Sequence, residues 1–164
     1  MKRAKLEWQD AKDVKREIVK IIKTLEFSHI KTSRVFCYRT EGSKARAYAR
    51  TWMMPKIFQN ALDIEPAYVI EVLSKYYDKL SEDEKVKVLI HELLHIPKNF
   101  SGALLSHRGR TRHIGHDANA LFKEYKNKSS TFFPRSIKLT EKNEERRPHN
   151  KLQGFKKVLD KISS

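Results

Sequence analysis

Apolar residues fall at helical spacing in three stretches of the chain and alternate with polar ones in two others. Val14, Ile18, Ile21, Ile22 and Leu25 share one face, which predicts a first helix over 10–26. Val86, Leu89, Ile90, Leu93 and Leu94 repeat that spacing. Ser81-Glu82-Asp83-Glu84 before them has the S-x-x-E form of a capping box, and Pro97 ends the pattern, so a helix of about four turns is predicted there. Ala118, Leu121, Phe122 and Tyr125 predict a further short helix. Residues 34–40 and 45–52 alternate and are separated by Glu41-Gly42-Ser43, the signal of a β-hairpin. Pro55 suits the first turn of a short helix over 56–62, and residues 68–73 read as a strand just before the capped helix. Helices and strands are mixed, and the fold class expected is α+β. At 164 residues the length suits one core. The pattern changes at the C-terminal end. From 127 onward apolar residues thin out and charges dominate, as in Lys142-Asn143-Glu144-Glu145-Arg146-Arg147, with one amphipathic segment over 155–162. The organisation expected is a globular domain over 1–126 and a basic, partly disordered extension over 127–164.

The capped helix carries the chemistry. His91-Glu92-Leu93-Leu94-His95 reads H-E-x-x-H. Residues four apart lie one above the other on a helix, so His91 and His95 can hold one metal ion. Glu92 lies beside that face, where a carboxylate can accept a proton from water activated by the ion. The plainer alternative is a core helix with two incidental histidines. Against it stands Glu92, a buried carboxylate that is costly without a partner.

Two protein ligands do not complete a catalytic zinc site; three are expected. Five of the seven histidines fall between positions 91 and 116, which makes His107, His113 and His116 the candidates. No acidic residue occurs from Lys98 to Gly115, so a carboxylate ligand has to come from Asp117, Glu124 or further away. His116 is the first choice, because the packed helix behind it can hold it in place. His107 and His113 lie among arginines and glycines and read as surface or substrate contacts, with His107 ranked second. An oxyanion donor is expected from the 107–113 segment, with no single residue favoured.

Charge adds a second function class. The net charge is +15 and it is uneven. Lys31 to Lys56 holds seven Lys or Arg against one acid, whereas Asp63 to Glu84 holds seven acids against two Lys. Tyr38, Tyr48 and Trp52 lie in the basic part. A basic sheet with aromatics can bind nucleic acid without strong sequence preference, and core aromatics flanked by solvated lysines are the plainer reading. The first ten residues are polar, no apolar run approaches a membrane span, and Cys37 is the lone cysteine. These features predict a cytoplasmic protein with no membrane association and a buried, unreactive thiol.

His91-Glu92-Leu93-Leu94-His95-Ile96-Pro97, with Phe100-Ser101-Gly102, Gly115-His116-Asp117 and the upstream Pro66-Ala67-Tyr68-Val69-Ile70-Glu71-Val72, resembles the phage metallopeptidase family. A looser similarity reaches the SprT-like zincins, where a third histidine likewise follows a glycine and opens a helix. The resemblance covers roughly residues 14–125. It implies a small zincin-like domain with a mixed sheet, an active-site helix and an edge strand beside the cleft, for which residues 68–73 are the candidate, an ordinary sheet member being the other reading of that strand. It also implies zinc-dependent peptide-bond hydrolysis. The reading that results is a zinc hydrolase acting on peptide or protein substrates. His91, His95 and His116 hold one Zn2+ and Glu92 serves as general base. The alternatives are a non-enzymatic nucleic-acid-binding domain on the same scaffold and a partner-regulated toxin or processing factor.

Overall fold

A computed structural model describes residues 5–107 and 114–132 of the chain. Chain order there is β1 (Glu7–Asp10), α1 (Lys12–Thr24), a 3-10 turn (Thr32–Arg34), β2 (Val35–Glu41), β3 (Ala49–Met53), α2 (Lys56–Leu62), β4 (Tyr68–Leu73), α3 (Ser74–Tyr77), α4 (Glu82–Leu94) and α5 (Ile114–Phe132). The class is α+β, with one four-stranded mixed sheet in the order β1-β2-β4-β3. β2 and β4 run parallel; the other two pairings are antiparallel.

The predicted helices form where their apolar faces can be buried. On α1, Val14, Ile18, Ile21 and Ile22 are buried. They pack with Val35, Cys37, Ile70 and Val72 of the sheet and with Leu89, Ile90 and Leu93 of α4 in one core. Ser81 caps α4, and the full capping box with Glu84 is present. The helix near the C-terminal end is longer than expected. α5 runs from Ile114 to Phe132, with Ala118, Phe122 and Tyr125 buried, and so continues past the expected boundary at 126. Residues 133–164, including the segment over 155–162, lie outside the described residues.

The sheet corrects one expectation and decides between two readings of another strand. β2 and β3 do not form a hairpin, because β4 lies between them and pairs with both. The reason is burial. Five of the six residues of β4 are buried, Glu71 among them, so the strand is enclosed on both faces and takes an interior place. The connection 42–48 is not strand, and its length lets the chain step across to the far side of β4. β4 is therefore an ordinary sheet member, and among the described residues β3 is the edge strand beside the cleft. The extra strand β1 escaped the sequence reading because Glu7-Trp8-Gln9-Asp10 shows no apolar alternation and all four residues are exposed. It is held by pairing with β2, continued by the bond from the Ala11 amide to the Cys37 carbonyl at 3.0 Å. Cys37 is buried as expected, and burial pushes its thiol up to about 11. No helix among the described residues is long and apolar enough to cross a membrane.

Candidate metal centre

α4 ends at Leu94 and His95 is its C-cap residue. The two histidines four apart therefore stand on the last turn, with ring centroids 5.2 Å apart. A third ring joins them. His107 lies 4.9 Å from His91, stacked, and 4.4 Å from His95, edge-on. One ring nitrogen from each of the three lies within 4.8 Å of the others. Two nitrogens each about 2.1 Å from one zinc ion lie at most about 4.2 Å apart, so a small rotation of the exposed His107 ring suffices to gather the set. His95 is already oriented for that role. Its Nδ1 sits 2.6 Å from the Leu105 carbonyl oxygen, which leaves Nε2 free to bind an ion. Burial, with the neighbouring imidazoles His95 and His107, lowers the His91 pKa to about 4, so its ring is neutral and its lone pair available at physiological pH.

The loop that delivers His107 is tied down in several places. The Leu105 amide donates to the His95 carbonyl at 2.8 Å, closing the loop back onto the end of α4. Phe100 packs edge-on against Tyr68, with centroids 4.9 Å apart. The Tyr68 hydroxyl accepts from the Gly102 amide at 2.9 Å and donates to the Ala103 carbonyl at 3.0 Å. Gly102 has φ +82°, and a Cβ there would lie 2.0 Å from the Gln59 side chain, so only glycine suits the turn. Tyr68→Phe removes both hydroxyl bonds and orphans a buried amide. We expect it to cost about 1–3 kcal/mol of stability, read by urea denaturation. A cost under about 0.5 kcal/mol would show that the loop holds without this anchor.

Glu92 faces β3. Its carboxylate oxygen Oε2 lies 2.8 Å from the Thr51 hydroxyl, and its carbonyl oxygen lies 3.0 Å from the same group. Glu92 is buried, and burial raises its pKa. The bond from Thr51 and the nearby His95 and His107 pull it back down. A buried carboxylate with a raised pKa beside clustered imidazoles fits a proton acceptor. A cleft of about 420 Å³ opens over it, lined by His91, Glu92, His107, Tyr48, Ala49 and Asn119. A larger cavity of about 760 Å³, bounded by Phe27, Leu94, Ile114 and Leu121, includes none of the three clustered histidines. The smaller cleft is where chemistry is possible.

His116, the first choice from sequence, is exposed in the first turn of α5. It shares a shallow depression with His107 but stands outside the three-histidine cluster. His113 lies outside the described residues. The sequence reading did not find Thr51 or the carbonyl of Leu105. Thr51 had a signal, since it is the polar residue on the inward side of β3, between Ala49 and Met53. The Leu105 carbonyl had none, because a backbone contact leaves no trace in residue identity.

No curated protein and no solved structure matches this chain. One family model matches residues 6–126, the whole span from the first strand into α5. The chain accordingly belongs to the family described as putative phage metallopeptidases.

Proposed function

We propose that the protein is a zinc-dependent peptidase of zincin type in which His91, His95 and His107 hold one Zn2+. One observation carries this reading: three imidazoles, two from the end of α4 and one from the loop that follows, converge beside a buried glutamate of that helix. Three imidazole nitrogen donors around an open position are the ligand set of catalytic zinc, and the family name agrees. When bound there, zinc supplies Lewis acidity toward water and the scissile carbonyl. The chain's own residues do the rest. Glu92 accepts the proton of the attacking water and returns it to the leaving amine. Thr51 fixes the carboxylate, and its strand bears on the substrate as well. Among the described residues β3 pairs with β4 on one side only, so its other edge can take an extended peptide as an added strand beside the cleft.

The test combines metal analysis with hydrolysis. Purified protein should carry about one zinc per chain and cleave peptides or unfolded protein. A chelator should stop cleavage and added zinc restore it. Protein that takes up no zinc on reconstitution would remove the proposal. Protein that holds zinc but cleaves nothing across a broad peptide screen would reduce the site to a structural one.

A further inference from the structure

α1 and α4 cover one face of the sheet, and the opposite face carries aromatic rings. Strand register places Trp8, Phe36, Tyr38 and Trp52 on that outer face, in rows with Asp10, Thr40, Val69, Glu71, Leu73 and Arg50. All four rings are exposed, from 38% at Tyr38 to 60% at Trp8. They are not the core aromatics of the plainer sequence reading. Single exposed apolar residues are ordinary, but four rings gathered on one sheet face mark an interaction surface.

The face is built rather than loose. Glu71 lies at its centre, 5% exposed. The Thr40 hydroxyl donates to one of its oxygens at 2.5 Å and the Trp52 indole N–H to the other at 2.7 Å. The second bond holds the Trp52 ring by its edge. The Arg50 guanidinium lies 6.0 Å from the centroid of that ring, a cation beside an exposed π-face. Lys44 and Arg46, on the connection that enters β3, form no ion pair among the described residues. Lys31, Arg34 and Arg39 are differently placed. Lys31 pairs with Glu65, Arg34 donates to the Pro66 carbonyl, and Arg39 is shared between Asp13 and Asp78.

We propose that this outer face binds single-stranded nucleic acid without strong sequence preference. Bases stack on Phe36, Tyr38 and the two tryptophans, while Arg50, Lys44 and Arg46 meet the phosphates. Stacking is sequence-tolerant because every base has a π-face, and an open sheet lets several bases lie side by side. Charge selects this occupant over others. A neutral glycan would use the same rings but gain nothing from the cations, whereas a polyanion gains from both and from the net charge of +15. The surface is independent of the proposed metal centre, since α4 packs on the other side of the sheet.

The chain has only two tryptophans, Trp8 and Trp52, and both lie on this face, so their fluorescence reports on it directly. The full chain should be titrated with an oligothymidylate and an oligouridylate of about 20 nucleotides. We expect tryptophan quenching with either or both, lost steeply between about 50 and 200 mM salt. Phe36→Ala with Tyr38→Ala should weaken binding about tenfold or more without loss of secondary structure. Arg50→Gln provides a second reading should the double variant misfold. It should weaken binding and lower the salt slope by about one. Binding as tight as the parent's in the aromatic variant, or binding without tryptophan quenching, would overturn the proposal. Salt-independent quenching by a neutral oligosaccharide, with none by either oligonucleotide, would assign the face to glycans instead.

Discussion

Glu92→Gln is expected to slow peptide hydrolysis by about 10²–10⁴-fold or more while zinc content stays at that of the parent. Glu92 is not one of the three clustered nitrogen donors, so its loss leaves the ion's ligands in place. Glutamine has the same shape and can still accept the bond from the Thr51 hydroxyl, now 2.8 Å from the carboxylate. Thermal unfolding should change little. What disappears is the proton acceptor. Burial raises the Glu92 pKa, and Thr51 and the imidazoles lower it. Protonation is thus poised nearer neutrality than for a solvated carboxylate, as a general base requires. The measurement is a rate on any peptide the parent cleaves, alongside metal analysis. Equal rates for the two proteins would place the chemistry elsewhere. A variant that also loses zinc would make Glu92 a ligand, a different kind of centre.

Local periodicity made the helices legible, and pairwise contacts made the rest opaque. Val14, Ile18, Ile21 and Ile22 announce α1 because one face of a helix repeats in the sequence itself. Ser81 and Glu84 mark the start of α4 because capping is a contact three residues long. Strand partners carry no such signal. Residues 34–40 and 45–52 alternate as hairpin strands do, but only burial on both faces of Tyr68–Leu73 reveals that this strand lies between them. β1 has no alternation at all and exists only through its partner. The candidate site divides in the same way. His91, Glu92 and His95 follow from spacing on one helix. Thr51 comes from a strand 41 residues away, and the loop over 96–107 is shaped by Tyr68 and by the carbonyl of Leu105. The preference for His116 rested on its packed helix, which does form. That helix leaves the residue exposed, while His107 is brought in by backbone bonds invisible to composition.

His107→Ala is expected to weaken zinc binding by more than about a hundredfold, whereas His116→Ala should weaken it no more than about tenfold. The scale follows from known zinc sites, where losing a group that only supports a ligand costs about 10–100-fold, so losing a ligand itself costs more. The asymmetry follows from position. His107 has its ring 4.9 and 4.4 Å from those of His91 and His95, and His116 belongs to no such cluster among the described residues. Competition titration against a chromogenic chelator reads both affinities. His91→Ala serves as the reference, since it removes a ligand from the helix itself. His107→Ala should resemble it in metal affinity and unfold close to the parent's temperature in the absence of zinc, because His107 is exposed and gives up only its ring contacts with His91 and His95. The reverse order, with His116→Ala losing the metal and His107→Ala keeping it, would move the third ligand to α5. The centre would remain, but the Leu105 carbonyl and the Tyr68 anchor would lose the role given to them here. Comparable tight binding in both variants would leave two histidines alone on α4, too few for a catalytic zinc site, and would require a third donor from beyond the cluster.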